Sequence, residues 1–303
     1  MSNNLLDCRS LTKDTIKRIM KKAASYKNDF INGRLRPELS GKTVFMLFLE
    51  PSTRTRCSFE MAIKRLGMIP INIYGSFSSI TKGETLEDTI LNLSKMHPSA
   101  FVIRHQDSGI CCRLLDITDI PIVNAGDGTH AHPSQALLDL FTILEKKGTA
   151  KGLNVSIIGD ILSSRVAKSD SELLTKMGCN VTLFGPATML PEHSYMPNVK
   201  IAGSMKEAMS EKDVIILLRI QLERNSGGNI SSLNEYHKHF GINQKLIERK
   251  TIIMHPGPFN RGVELSSDIL KLDNIEIFNQ VENGVFVRMA IFWWIISGGR
   301  KEI

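Results

Sequence analysis

No stretch of this chain is long and apolar enough to span a bilayer. None approaches the roughly 20 residues that a spanning helix needs, although 42% of its 303 residues are hydrophobic. Its first residues, Met1-Ser2-Asn3-Asn4-Leu5-Leu6-Asp7, hold neither a basic cluster nor an apolar core, so no secretory signal is expected. Five cysteines, at 8, 57, 111, 112 and 179, form no Cys-x-x-Cys pair. Odd in number and scattered, they point away from a disulfide scaffold or a zinc site and toward a reduced, cytoplasmic setting. Basic runs are also missing. The net charge is +7, yet no run of five or more basic residues occurs. The five lysines and one arginine between residues 13 and 27 have the spacing of an amphipathic helix's wet face. A nucleic-acid footprint is therefore not expected, and a cleft that gathers small anions explains part of the excess. There is no nucleophile elbow, no His-Glu-x-x-His and no Walker lysine loop. Gly159-Asp160-Ile161 is not a dinucleotide fingerprint. No pair of carboxylates suited to magnesium stands out, which argues against kinase-type phosphoryl transfer. No cofactor and no metal is expected.

What remains is an alternation of short apolar runs with helical periodicity. Strands are expected at 43–49, 70–74, 100–104, 120–124, 153–158, 180–184, 213–219, 251–254 and 275–278. Helices are expected at 13–27, after Ser52 as far as residue 66, and at 85–95, 110–115, 135–147, 165–177, 205–209 and 284–296. Residues 125–128 read as a turn cluster, and residues 76–84 and 222–241 as polar loops. Repeated β-α-β units imply an α/β fold of two doubly wound domains, each a parallel sheet flanked by helices. Domains are expected at 1–148 and 149–283, with the closing helix, about 284–303, packing back onto the first.

The polar residues of interest fall at the carboxyl ends of these strands, where open α/β sheets bind ligands. Strand 43–49 leads into Pro51-Ser52-Thr53-Arg54-Thr55-Arg56. Three hydroxyls and two guanidiniums thus stand at the start of a helix, where unpaired N–H groups and the macrodipole already favour an anion. A Ser N-cap followed by a solvated Arg face is the plainer reading of that segment alone. Arg104-His105 follow the third strand, His132-Pro133-Ser134-Gln135 the fourth, Arg165 the fifth, Arg219 and Gln221 the seventh, and His255-Pro256-Gly257-Pro258 the eighth. Taken singly, His132 reads as a capping or core histidine, His255 as structural, and the arginines as surface residues. Six strand ends carrying such groups are hard to assign to chance. The set is rich in donors and poor in carboxylates, which suits anionic substrates reacting by positioning and charge stabilisation.

Three of these segments together, Pro51 to Arg56, His132 to Gln135 and His255 to Pro258, resemble the carbamoyltransferases, and within them the aspartate-using catalytic chains. The likeness runs nearly end to end, through Lys82-Gly83-Glu84-Thr85, Ser163-Ser164-Arg165-Val166-Ala167 and Leu218-Arg219-Ile220-Gln221. It implies an active site between the two domains and transfer of the carbamoyl group of carbamoyl phosphate to the amine of L-aspartate, in de novo pyrimidine synthesis. It also implies that Ser52, Thr53, Arg54 and Thr55 hold the phosphate with Arg104. Thr55, Arg104 and His132 would reach the carbonyl oxygen, so that Arg54, Thr55, Arg104 and His132 form the catalytic group. Gln135 and the Gly257-Pro258 region would take the amide nitrogen. Arg165, Arg219 and Gln221 would bind aspartate, with Lys82 and Ser78 arriving from a neighbouring subunit of a homotrimer. Regulatory chains or a dihydroorotase partner stay open, and neither nucleic acid nor membrane is implied.

Ornithine is the nearest rival acceptor. It needs an acceptor for its cationic end, and its enzymes usually carry a cysteine in the His-x-x-Pro turn, which here is His255-Pro256-Gly257-Pro258. A non-catalytic binder of phosphorylated metabolites is a second rival, opposed by the intact Arg54, Thr55, Arg104 and His132. Two departures stand out: Ser164 where relatives often carry His, and Ser134 in place of a frequent Thr.

Overall fold

Two parallel sheets organise the computed structural model, which describes residues 4–74, 83–192, 198–220 and 232–298. By its internal contacts the chain divides into two units, Met1–Leu138 with Val281–Ile303, and Asp139–Gln280.

The first unit opens with α1 (Lys13–Ile31), which Thr12 caps by accepting a hydrogen bond from the Thr15 N–H. There follow β1 (Thr43–Phe48), α2 (Thr53–Arg65), β2 (Ile69–Tyr74), α3 (Leu86–Ser94), β3 (Ala100–His105), α4 (Ile110–Arg113), β4 (Ile122–Asp127) and the start of α5 (Pro133–Lys147). The sheet order is β2-β1-β3-β4, with every neighbour parallel. Val44, Phe45, Met46 and Leu47 are all buried, so β1 is covered on both faces, as a central parallel strand must be. On one face Phe45, Leu47, Phe101, Ile103 and Ile122 pack with Ile90 and Ile110.

The second unit runs through β5 (Asn154–Ile158), α6 (Arg165–Met177), β6 (Asn180–Phe184), β7 (Val199–Ile201), α7 (Met205–Met209), β8 (Val214–Leu217), α8 (Leu233–Phe240) and β9 (Ile252–Met254). Its sheet order is β7-β6-β5-β8-β9, again wholly parallel. Ile158, Phe184, Ile215, Leu217, Ile253 and Leu265 build its core. Two parallel sheets flanked by helices are the architecture expected from the sequence.

Three expectations are corrected, and one element is added. Residues 275–278 are not a strand: Ile275 makes a single bridge to Ile253, and α9 (Ile277–Ile296) has begun two residues later. The alternation of Ile275 and Ile277 imitates a strand over too few residues to distinguish the two periods. The expected loop at 222–241 contains α8, started by Ser232, whose hydroxyl accepts from the Glu235 N–H at 3.1 Å. That Ser-x-x-Glu spacing is a helix-start signal. The short edge strand β7 was not expected at all; with Lys200 between Val199 and Ile201 it offers only three residues of pattern. Finally, β4 runs on through Ala125 and Gly126 to Asp127, where a turn was expected. Gly126 sits at φ +116°, open to glycine, beside a register shift between β3 and β4.

From Phe286 onward helix α9 is largely apolar and correspondingly enclosed. Phe286, Val287, Met289, Ala290, Ile291 and Phe292 are each 0% exposed. Within the first unit Phe286 meets Phe30 of α1 at 5.5 Å and Phe292 meets Phe59 of α2 at 6.0 Å. Arg288 lies 4.8 Å over the Phe59 ring and donates to the Ser58 hydroxyl at 2.9 Å, which fixes α2 from behind.

Candidate active site

Each sheet has one place where its winding reverses, and the candidate residues gather there. In the first sheet β1 is flanked by β2 on one side and β3 on the other. The loops leaving β1 and β3 therefore part in opposite directions, and the gap between them is the natural ligand crevice. Ser52, Thr53, Arg54 and Thr55 follow β1, and Arg104 sits at the end of β3, paired in register with Phe48. Ser52 takes the N-cap position with an extended backbone, φ −162°, but its hydroxyl makes no cap hydrogen bond. The plainer reading, in which Ser52 is present to cap α2, thus loses its main support. Thr53 and Arg54 are exposed and Thr55 is buried.

Arg104 is held in place. Its Nη2 donates to Glu50 Oε1 at 2.9 Å and its Nη1 to the Ala125 carbonyl at 3.3 Å. Glu50 lies near the start of the same loop that carries Ser52, so this ion pair ties the two sides of the crevice together within one unit.

His132 and Gln135 are delivered by the β4–α5 connection, and Asp127 shapes it. Asp127 is fully buried and its carboxylate accepts four groups: Gly109 N–H at 2.7 Å, Asn124 Nδ2 at 2.8 Å, Ala131 N–H at 3.1 Å and a ring contact with His130 Nδ1 at 2.9 Å. The Asp127 N–H in turn donates to the Ala131 carbonyl at 3.1 Å. This closes a tight loop immediately before His132. Pro133 opens α5 at a position where a missing N–H costs nothing. His132 and Gln135 are both buried, and Ser134 Oγ lies 3.5 Å from His132 Nδ1. His130 thus belongs to the scaffold of the loop. Asp127 is a supporting residue that reading the donor-rich segments alone does not bring out. Its signal is a carboxylate at a strand end, among residues otherwise rich in donors.

The second sheet repeats the arrangement. β5 has β6 on one side and β8 on the other, so the loops after β5 and β8 diverge. Arg165 follows β5 as the first residue of α6, and Arg219 follows β8. Arg165 is buried and Arg219 half-buried. The two strand ends approach closely: at Gly159, φ +135°, a Cβ would lie 2.8 Å from the Leu218 carbonyl oxygen. Ser164 is the N-cap of α6 and accepts from the Ala167 N–H at 3.1 Å, so the departure at this position has a structural use. Ser163 N–H donates to the buried Asp160 at 3.1 Å. On the β8 side Glu264 accepts from the Ile220 N–H at 3.1 Å and from Asn260 through its N–H at 2.6 Å and its Nδ2 at 3.0 Å. Burial, then the charges of Glu264 and Asp160, push the Tyr236 hydroxyl well above its ordinary range, so it stays protonated.

Beyond β9, the His255 ring accepts the Gly257 N–H on Nδ1 at 2.8 Å and packs edge-on against Phe259. This is the structural role expected for it. Gly257-Pro258 is a cis bond. Ser78, Lys82 and Gln221 lie outside the described residues.

Cysteine chemistry finds no support at Cys111 or Cys179. Burial, then the nearby Asp127, hold the Cys111 thiol well above its usual range, and burial pushes Cys179 up to about 12. Thiols so placed are inert. Among the described residues no cluster of His, Cys, Asp or Glu could hold a metal ion, and no helix is long and apolar enough to cross a membrane.

Comparison with known proteins agrees with this fold. Residues 3–145 match the family described as aspartate/ornithine carbamoyltransferase, carbamoyl-P binding domain, and residues 151–295 match its Asp/Orn binding domain. The chain is 46% identical over 304 residues to the aspartate carbamoyltransferase catalytic subunit of Opitutus terrae, covering 99% of this chain and 96% of that one. It is 52% identical over 268 residues to the counterpart from Desulfotalea psychrophila, covering 88% and 84%. A crystal structure of aspartate transcarbamoylase from Trypanosoma cruzi, in complex with carbamoyl phosphate and aspartate, superposes with a TM-score of 0.89 at 28% identity, over 97% of both chains. Ornithine carbamoyltransferase from Pyrococcus furiosus gives 0.88 at 29%, over 99% and 98%. The chain belongs to the aspartate/ornithine carbamoyltransferase family.

Proposed function

We propose that the chain is the catalytic chain of an aspartate carbamoyltransferase, making N-carbamoyl-L-aspartate and phosphate for pyrimidine synthesis. The observation that carries this reading is the pair of winding reversals, each edged by a different anion-binding set. The first has hydroxyls, a helix N-terminus and Arg54 with Arg104, which suit a phosphate. The second has Arg165 and Arg219, whose planar forks suit carboxylates. Ser52, Thr53, Arg54 and Thr55 bind the phosphate of carbamoyl phosphate. Thr55, Arg104 and His132 hold its carbonyl oxygen, and Gln135 with the Gly257-Pro258 turn takes its amide. Arg165, Arg219, Gln221 and Lys82 bind aspartate.

In the reaction the aspartate amine attacks the carbamoyl carbon. Negative charge grows on the carbonyl oxygen, and donors already aimed at that oxygen stabilise it. The carbon–oxygen bond to phosphate then breaks, phosphate leaves with the electron pair, and the amine gives up a proton. No side chain among the described residues stands out as its base, which leaves the departing phosphate to receive it. Arg104 meets this task already oriented by Glu50, so little reorganisation is needed as charge develops.

The fold does not choose the acceptor, since aspartate and ornithine enzymes superpose equally well. Three things favour aspartate. The catalytic subunits of similar sequence carry that name. Arg219 offers a cation where ornithine brings its own. The turn at residues 255–258 has no cysteine. Phosphate release from carbamoyl phosphate with a panel of amines tests the reading. Release that depends on L-aspartate supports it. Release that depends on ornithine, or binding without release, overturns it. We further propose a homotrimer in which Ser78 and Lys82 serve a neighbour's site. A cytoplasmic location is supported by five cysteines that are all free thiols.

A further inference from the structure

Asp170, on α6, is 0% exposed, and among the described residues no donor reaches either of its carboxyl oxygens. A bare carboxylate in such a place would be very costly. Beside it is a second carboxyl, Asp139 of α5, also 0% exposed and within hydrogen-bonding reach. Two ionised carboxylates offer each other only lone pairs, so they can bond only through a proton held by one of them. Asp139 has a donor of its own, Gln280 Nε2, at 2.6 Å from its Oδ1. A carboxyl that accepts such a bond is favoured as the anion, and one that receives none is favoured as the neutral acid. Burial, and then the charge of Asp139, push Asp170 well above the usual carboxylate range.

The pair is connected onward. Gln280 accepts the His255 N–H on Oε1 at 2.9 Å while its Nε2 holds Asp139. The amide can serve His255 this way round only while an acceptor faces its other end. Asp139 is that acceptor, and it accepts best as an anion, a state it holds without repulsion only while Asp170 keeps a proton. His255 then holds Gly257 through its ring.

We propose that Asp170 is a neutral, proton-donating carboxyl at neutral pH, and that Asp170, Asp139 and Gln280 are positioning residues for the turn at residues 255–258. The proton follows from the local geometry alone. Its effect on turnover rests on the proposed role of Gly257 and Pro258 in binding carbamoyl phosphate.

Other titratable groups lie on these elements. Glu276, at the start of α9, pairs with Lys146 of α5 at 3.0 Å. Arg165, Lys168 and Glu172 share α6 with Asp170, yet Asp139 is the one charge that acts on it appreciably. Protonation of His255 would cost its ring the Gly257 bond, so the test reads neutral and alkaline pH.

The experiment compares the full-length protein with Asp170→Asn and Asp170→Ala. Asparagine keeps the shape and supplies a donor that cannot be titrated. First, the infrared difference between wild type and Asp170→Asn at neutral pH should contain a protonated carboxyl stretch. Second, the melting temperature is followed with pH. Because the folded form holds this proton more tightly than the unfolded chain does, the associated stability is complete below the unfolded carboxyl value of about 4. It is then lost progressively as pH rises toward the folded value. The melting temperature of Asp170→Asn minus that of wild type should therefore widen by about 5 °C or more between about pH 5 and about pH 8. Third, Asp170→Ala should lose roughly ten-fold or more in kcat/KM for carbamoyl phosphate through a displaced turn. Asp170→Asn should stay within about two-fold of wild type. Absence of the carboxyl band, a flat melting difference, or an Asp170→Asn protein that cannot fold each overturns the proton assignment. A normal Asp170→Ala enzyme overturns the positioning role. A wild type without transferase activity but with the band and the widening gap overturns the proposed function and leaves the proton assignment standing.

Discussion

Arg54 and Arg219 are the two side chains whose chemistry separates the proposed halves of the reaction. Arg54 is exposed in the first turn of α2, away from the Phe59, Ile63 and Leu66 core that holds the helix. Arg54→Ala should therefore leave the melting temperature nearly unchanged. It should cost on the order of 10²–10³ in kcat, the usual loss for one preorganised donor. Near-normal turnover in the folded variant would remove Arg54 from the site. Arg219 calls for a subtler change. Lysine keeps the charge but loses the planar fork that grips a carboxylate in two places. Arg219→Lys should raise the KM for aspartate strongly and leave the binding of carbamoyl phosphate almost as it was. Steady-state kinetics with each substrate varied in turn reads both. Collapse of carbamoyl phosphate binding with aspartate affinity intact would place Arg219 in the other half of the site.

Between residues and molecule lie the connections that aim these side chains, and the β4–α5 loop is the most exacting. Asp127 gathers Gly109, Asn124, His130 and Ala131 around one buried carboxylate. Asp127→Ala strands several buried donors at about 1–3 kcal/mol each. It should lower the melting temperature by several degrees and reduce kcat further than the stability loss explains, because His132 follows directly. A variant that melts lower but turns over normally would mean that His132 does not depend on this loop. The donors of this loop were readable from the sequence; the carboxylate that fixes them was not. His132, Ser134 and Gln135 are contiguous and come at a strand end, whereas Asp127 acts on Gly109, which is distant along the chain and near only in the fold. The same division runs through the elements. β1, β3, β5 and α6 are long or strongly periodic and stand where expected. β7, α8 and the first turn of α9 are short or carry two periods at once, so neighbouring elements decide them. Asp170 is the extreme case, since its meaning rests on Asp139 and Gln280, which other helices supply.

At the scale of the assembled molecule the open question is where Lys82 acts. Residues 76–84 offer few apolar anchors to fix that segment within its own domain. A needed cation on such a segment makes sense if a neighbouring chain receives it. In a cyclic trimer one such donation is repeated at every interface by symmetry, so each site would take Arg54 from one chain and Lys82 from the next. Lys82→Ala and Arg54→Ala are each predicted to be nearly inactive alone. Unfolded together in equal amounts and reassembled, they should recover activity. A site is intact only when its Arg54 comes from a Lys82→Ala chain and its Lys82 from an Arg54→Ala chain. With random mixing each condition is met half the time, so roughly a quarter of the sites should work. The measurement is phosphate release by the reassembled mixture, set against native mass spectra that count the mixed trimers. Recovery near that fraction supports the shared site. Mixed trimers that stay inactive would mean that Lys82 serves its own chain or has no part in the reaction.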